Sequence, residues 1–313
     1  MREKSVAFVN EEGVVGSPIH ARISAFSRFF SSEGFSRSVA KPRYIFFSMP
    51  PFRNFSLFFR RGVILDIRDG WSIAQSSGYG GTRKRQPIKA WVARRVERFI
   101  IRRSFLTITC TPGLQCYLET LSGKAVLLIP NGISDARYEL AHKVRKSSAD
   151  RGRVDSSLVF VCAGKFSEYG RDKVKRILNV IVNRYSSQQL KVLLVGSELE
   201  ANHWVIRFFS DISGGRGSVD VLPRLNNDEE LYNVMAQADY GLALLRDPDY
   251  EFGTKVYDYI AVGLPVVNYF DSPNSFTDYF DACLDVSFDR NKIVPEIRRS
   301  VLVEKGLRHV QFE

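Results

Sequence analysis

The chain has 313 residues, 44% of them apolar and 25% charged, a balance that supports buried cores and more than one domain. It excludes a disordered chain and, with no run of about eighteen apolar residues, a membrane-spanning helix. The formal charge of +11 and the pI near 9.5 point to phosphate-bearing partners: nucleic acid, anionic lipid or a phosphorylated substrate.

The chain opens MREKSVAFVNEEG, whose apolar stretch is short and runs into Glu11 and Glu12, so it reads as a first strand rather than a signal peptide. Strands are expected at Val6–Val9, Tyr44–Phe47, Val63–Ile67, Thr107–Thr109 and Val126–Ile129. Helical patterns lie between them at Ala21–Phe30, Lys89–Arg103 and Pro112–Leu121. Asp135–Ser156 is charged, serine-containing and poor in apolar residues, the composition of a linker. A second series follows, with strands at Leu158–Ala163, Lys191–Val195, Val219–Leu222, Tyr240–Ala243 and Pro265–Val267. Its helices fit at Asp172–Tyr185, Asn202–Phe209, Asp228–Gln237 and Lys255–Val262. Two strand–helix series in succession predict an α/β protein with two Rossmann-like domains built on parallel sheets. The expected division is 1–134, a linker over 135–156, a second domain over 157–285 and a helical tail over 286–313. Cys110, Cys116, Cys162 and Cys283 are scattered without metal-ligand spacing, which fits a reducing cytoplasm.

The stretch Gly253–Val267, GTKVYDYIAVGLPVV, concentrates the chemistry. Gly253 and Thr254 precede a helix whose first-turn N–H groups and dipole favour an anion. Lys255 is misplaced there for helix stability alone, and a phosphate resolves the mismatch. Asp258 is placed to accept hydrogen bonds from ribose hydroxyls, as acidic residues do in dinucleotide folds. Spacing alone favours an ordinary glycine-capped crossover helix with a surface Lys–Asp pair.

Gly253, Asp258, Ala261, Gly263, Pro265 and Val266 nevertheless fall at the spacing of a known signature. The segment resembles that of the GT-B glycosyltransferases, particularly the large retaining family 4. Asp258 stands where the family carries Glu, and Tyr250 where it carries the first Glu of a pair, with Glu251 displaced by one. Other stretches resemble the family in order. Ile129–Ile133 matches the IPNGI-type turn that ends the first domain, and Phe160–Lys165 matches the strand and phosphate loop of the second. Val219–Leu225 resembles the nucleobase strand and loop, and Leu65–Trp71 a first-domain motif of bacterial polysaccharide transferases.

The resemblance implies a GT-B fold with two Rossmann-like domains facing a central cleft. It implies a metal-independent, retaining transfer of a UDP- or GDP-linked sugar without further cofactor. Gly164, Lys165, Arg171 (or Lys173), Arg224, Leu225, Gly253, Thr254, Lys255 and Asp258 are the implied donor-side residues. Arg68, Asp69 and Glu251 are the catalytic candidates, with Gly16 and His20 on the acceptor side. The implied acceptor is a glycan or lipid-linked polysaccharide precursor. A nucleotide-sugar epimerase and a non-catalytic partner subunit of the same fold are the alternatives; no nucleic-acid-binding motif is present. Asp247-Pro248-Asp249 imitates a metal-binding DxD, for which a proline turn is the simpler account.

Residues 83–103 carry nine Lys and Arg against Glu97 alone. On a helical projection Ile88, Val92, Val96 and Phe99 share the expected core side. Arg94, Arg95, Arg98 and Arg102 cover the opposite side, with Trp91 among them. An indole among cations suits an anionic membrane surface, so the expected location is cytoplasmic, with peripheral contact on the inner leaflet. A solvated helix face is the plainer reading.

Overall fold

The computed structural model describes residues 4–9, 18–37, 42–48, 59–60, 62–81, 83–149, 157–164, 166–288 and 294–312, without the side chains of 18–20, 79–80, 148–149 and 167. The chain forms two compact units. Unit 1 comprises Met1–Ser134, Asp249–Glu251 and Glu296–Glu313; unit 2 comprises Asp135–Pro248 and Phe252–Pro295.

Unit 1 is built on a six-stranded parallel sheet. Its strands are β1 (Ser5–Val9), β2 (Ser36–Arg37), β3 (Tyr44–Ser48), β4 (Val63–Ile67), β5 (Leu106–Thr109) and β6 (Leu127–Leu128), in the order β2-β1-β3-β4-β5-β6. Strands β3 and β4 are buried along their whole length, as near-continuous apolar runs in parallel sheets should be. Helices α1 (Pro18–Ser32), α2 (Trp71–Gly81), α3 (Pro87–Arg103) and α4 (Pro112–Ser122) complete this part of the unit. Helix α2 has no counterpart in the expected elements. Its WSIAQSSGYGG sequence is rich in Ser and Gly, which lower helix propensity, and packing against α3 compensates.

The turn at Asn131-Gly132 shows why its sequence is narrow. Gly132 has φ +56°, and a Cβ there would stand 2.5 Å from the Ile297 carbonyl oxygen. Buried Arg299 donates to the Asn131 and Gly132 carbonyls, both at 2.7 Å. The IPNGI stretch is therefore a docking turn for the C-terminal segment of its own unit.

Arg22 on α1 and Asp66 on β4 form a second buried polar contact. Two guanidinium nitrogens reach Asp66 Oδ1 at 2.9 and 3.0 Å, and Arg22 Nη1 donates to the Pro130 carbonyl at 3.2 Å. Both residues are essentially solvent-free.

The face of α3 differs from expectation. Its buried residues are Ala90, Ala93, Glu97, Ile100 and Ile101, whereas Ile88 is 79%, Trp91 59% and Val92 43% exposed. Small alanines let α3 approach its neighbours closely, and buried Glu97 is committed to a cap. Glu97 accepts from the Ser72 amide at 3.2 Å and from the Ser72 hydroxyl, at the otherwise unsatisfied start of α2. Ser72 Oγ in turn lies 2.6 Å from Tyr117 Oη.

Burial raises the Glu97 pKa above its usual value, against the Ser72 hydrogen bonds that favour the charge. The folded state therefore holds that proton to higher pH than the unfolded chain does. Glu97's contribution is fully present below about pH 4.5 and is lost as pH rises through its folded pKa. Chemical denaturation from pH 4 to 7 should show the stability of the parent protein falling relative to Glu97→Gln. A pH-independent difference between the two would refute this account.

Unit 2 carries a five-stranded parallel sheet of β7 (Leu158–Ala163), β8 (Leu190–Val195), β9 (Gly217–Leu222), β10 (Tyr240–Leu242) and β11 (Val266–Val267), in the order β11-β10-β7-β8-β9. The strands pair in register from Leu158–Leu190 to Ala163–Val195, so β7 and β8 end level. Its helices are α5 (Asp135–Ala149), α6 (Arg171–Arg184), α7 (Leu199–Ile212), α8 (Asp228–Met235), α9 (Lys255–Val262) and α10 (Ser275–Tyr279). The segment Asp135–Ser156, expected as a linker, thus opens with a helix of 15 residues, and 150–156 lie outside the described residues. Its stripe is sparse but correctly spaced: Arg137, Ala141 and Val144 follow helical periodicity, and the last two are buried. The expected C-terminal helical tail contains α11 (Arg299–Leu307), which belongs to unit 1.

Candidate functional site

The strand order of unit 2 reverses between β7 and β10. The chain proceeds from β7 outward through β8 and β9, then returns to the other side of β7 with β10. Open α/β sheets bind ligands at the carboxyl ends of strands at such a reversal, because the diverging connections leave a crevice there. A cavity of about 70 Å³ occupies this place, lined by Cys162 and Ala163 from β7, Leu242–Leu245, and Gly253–Val256.

Two glycines shape the strand ends. Gly164 has φ +118° and open space where a Cβ would stand, and Gly196, after β8, has φ +81° with its virtual Cβ 3.9 Å from Gly164. Side chains are absent where backbone must come close to something. Gly253 holds φ +63° and leads into α9.

The N-cap of α9, Thr254, makes no side-chain capping hydrogen bond. The first-turn donors that Ser, Thr or Asp side chains satisfy at other helices are left to another acceptor here. In the same unit α8 is capped by Asn227, whose side chain accepts from the Glu230 amide at 2.8 Å, whereas α6 and α7, like α9, start without a side-chain cap. At the far end of α9, Gly263 adopts φ +88° and closes the helix in the left-handed conformation.

Asp258 is not the surface residue of the plainer reading. It is fully buried. Its Oδ1 accepts from Tyr232 Oη at 2.9 Å and stands 3.1 Å from Arg137 Nη2, while Oδ2 is 3.5 Å from Lys255 Nζ. Oδ2 is nevertheless a buried oxygen without a hydrogen-bond partner among the described residues. Arg137 also reaches Asp228 at 3.1 Å, and its guanidinium lies 5.6 Å from the Tyr232 ring centroid. Burial opposes the Arg137 charge, yet Asp258, Tyr232 and Asp228 together lift its pKa above the usual value. Burial, reinforced by Asp258, raises the Tyr232 pKa, so the phenol stays a donor. Sequence reasoning missed Arg137 and Tyr232. The only available signal was the helical spacing hidden in a linker-like composition.

Tyr259, next to Asp258 on α9, is buried with its hydroxyl accepting from the Ala163 amide at 2.9 Å. Its ring lies over Gly241, where a Cβ would approach to 2.4 Å. This contact fixes α9 against the ends of β7 and β10. Burial pushes the Cys162 thiol up to about 12, so it stays protonated and is no nucleophile.

The remaining donor-side candidates are placed less uniformly. Arg171 begins α6, exposed, with its guanidinium 5.3 Å from the Trp204 ring centroid. Lys173 donates to the Arg246 carbonyl at 2.6 Å. Arg224 and Leu225 lie in the loop between β9 and α8. Lys165 and Gly16 lie outside the described residues, as does the side chain of His20 in α1.

The catalytic candidates belong to unit 1. Arg68 sits 4.0 Å from Asp66, and Asp69 is exposed just before α2. The buried Arg–Asp pair of this region is Arg22–Asp66. Glu251 is half-buried beside Tyr250, whose carbonyl accepts from Thr111 at 3.2 Å and whose ring meets Tyr117 edge-on. Among the described residues no group of three or more His, Cys, Asp or Glu gathers as metal ligands.

No protein-family model and no curated protein sequence matches the chain. Solved structures do. The chain is similar to a sucrose-phosphate synthase from Thermosynechococcus elongatus, with TM-score 0.51, 17% identity and coverage of 78% of this chain and 58% of that one. It is similar to Anabaena HepE in complex with UDP and glucose, with TM-score 0.50, 15% identity and coverage of 85% and 80%. It is similar to a UDP-forming α,α-trehalose-phosphate synthase from Burkholderia vietnamiensis, with TM-score 0.53, 10% identity and coverage of 92% and 68%. The chain thus spans little more than half the length of the first of these. At such identities the likeness establishes architecture: the fold is the α/β GT-B type, with two parallel sheets.

Proposed function

We propose that the protein is a glycosyltransferase that binds a nucleoside-diphosphate sugar in unit 2. The observation that carries this reading is the coincidence, on α9, of an uncapped start lining the cavity at the reversal point of the sheet with a buried, incompletely bonded carboxylate one turn along the helix. In this assignment the diphosphate takes the free N–H groups at the start of α9 and the Lys255 ammonium. A ribose hydroxyl donates to Asp258 Oδ2. Gly164 and Gly253 leave room for the diphosphate to approach the backbone. The loop at Arg224 and Leu225 meets the nucleobase.

Cleavage of the sugar–phosphate bond leaves negative charge on the departing diphosphate, and donors already aimed at it lower the barrier. Lys255 and the α9 terminus supply that stabilisation without a metal ion. UDP as the nucleotide follows by analogy with HepE, whose structure holds UDP and glucose. Retention of configuration, a lipid-linked or polysaccharide acceptor, and roles for Arg68, Asp69 and Glu251 extend the reading by resemblance to family 4.

A thermal-shift screen of UDP- and GDP-sugars tests it. A ligand at a hundred times its Kd stabilises the folded state by about 2.7 kcal/mol. Lys255→Ala should weaken the cognate nucleotide roughly ten- to a hundredfold, since a charged hydrogen bond contributes about 1.5–3 kcal/mol. Its unliganded stability should hardly move, because the Lys255 side chain is 39% exposed and its ion pair is screened. If no nucleotide sugar stabilises the protein, or Lys255→Ala binds as the parent does, the assignment fails.

A further inference from the structure

Helix α3 carries two apolar stripes, and only one is used by the fold. Ala90, Ala93, Ile100 and Ile101 face the interior with Glu97, packing against α2 and α4. The other stripe, Ile88, Trp91 and Val92, lies at i, i+3 and i+4 and is exposed to 79%, 59% and 43%. Three large apolar side chains side by side on a solvent face are an anomaly, because scattered exposure is ordinary but clustering is not.

The charges around this stripe are of one sign. Lys89, Arg94, Arg95 and Arg98 are exposed on the same helix, and its single acid, Glu97, is buried. The outward face of α3 therefore carries no carboxylate. The Arg95 guanidinium lies 5.1 Å from the Trp91 ring centroid, holding the indole against a cation. One turn on, Phe59 is 63% exposed, 6.0 Å from Phe99, with Arg103 5.3 Å from its ring centroid. Apolar side chains interleaved with arginines, without acids, complement a surface that is apolar below and anionic above.

The geometry points to α3 as an interfacial helix that docks unit 1 on an anionic lipid bilayer, with Ile88, Trp91 and Val92 entering the acyl boundary and the cations meeting the headgroups. Apolar burial and headgroup attraction add in this mode, and neither alone gives firm binding. A nucleic acid would use the cations and the indole but has no use for Ile88 and Val92. No helix among the described residues is long and apolar enough to cross a membrane, so the contact is peripheral.

The inference is independent of the donor site, and so is its test. The full chain is floated with phosphatidylcholine vesicles, with and without phosphatidylglycerol, at low and high salt. Binding is expected to the mixed vesicles only and to weaken with salt. Arg94→Gln with Arg98→Gln should lower the partition coefficient on the order of tenfold or more, at about fivefold per cation. The triple variant Ile88→Ser, Trp91→Ser, Val92→Ser should lower it at least tenfold at every salt concentration, with circular dichroism and the melting midpoint unchanged. Absence of flotation with mixed vesicles overturns the proposal. So does a triple variant that floats as the parent does, since the cations alone then bind. A triple variant that changes only the oligomeric state, or a duplex DNA that binds as tightly as vesicles and ignores the apolar substitutions, overturns it in favour of those partners.

Discussion

Asp66→Ala is expected to destabilise unit 1 by roughly 3–5 kcal/mol, the cost of leaving a buried charge without its counter-ion. Arg22 is 1% exposed and makes two contacts of 3.0 Å or less to Asp66 Oδ1, so the guanidinium has no solvent to turn to. Its Nη1 donates to the Pro130 carbonyl, one residue before the Asn131-Gly132 turn on which Arg299 docks. Loss of Asp66 should therefore loosen α1, the end of β4 and this turn together. Replacing both partners, as Arg22→Met with Asp66→Leu, should recover much of the loss, because two apolar groups of similar volume need no desolvation. Urea denaturation of the two singles and the double measures this. If Asp66→Ala falls within about 1 kcal/mol of the parent, water reaches the site and the pair is not the buried clamp described.

The sequence made the strand–helix rhythm visible because parallel strands are short apolar runs and crossover helices are long periodic ones. Val63–Ile67, Leu158–Ala163 and Lys255–Val262 begin and end where the pattern says. The glycines of the site were readable for a similar reason: Gly253 and Gly263 need conformations that other residues avoid. What was hidden depended on partners far away in the chain. Nothing local to Ala90, Ala93 and Glu97 marks them as interior, and they are so because α2 needs a cap at Ser72 and room to approach. The stripe Ile88, Val92, Val96 and Phe99 has the stronger amphipathic pattern, yet Ile88 and Val92 face out. From spacing alone Asp258 reads as a surface pair with Lys255, because Tyr232 and Arg137 are distant in sequence.

Arg137→Met is expected to weaken nucleotide-sugar binding on the order of tenfold or more, although Arg137 itself is assigned no contact with the donor. The argument runs through Asp258. A fully buried carboxylate survives as a charge only when paired and hydrogen-bonded, and here Arg137 and Tyr232 fix its Oδ1 while Oδ2 is left over. Arg137 is thus a positioning residue: it pairs with Oδ1 of Asp258 and so orients the second oxygen. It does so from a fixed stance, because Asp228 at 3.1 Å takes another edge of the same guanidinium. Arg137→Lys keeps the charge but not the planar fork, so it should restore stability better than it restores affinity. A cycle of Arg137→Met, Asp258→Asn and the double variant separates the roles. Both measured quantities, unfolding free energy and nucleotide Kd at a temperature where every variant is folded, should be non-additive by about 0.5–3 kcal/mol, as for residues in direct contact. If Arg137→Met lowers stability while Kd stays at the parent value, the cluster is a structural clamp between α5, α8 and α9, and Asp258 does not bind the donor. If Kd rises in Arg137→Met and rises no further in the double variant, the two residues act as one unit on the ligand.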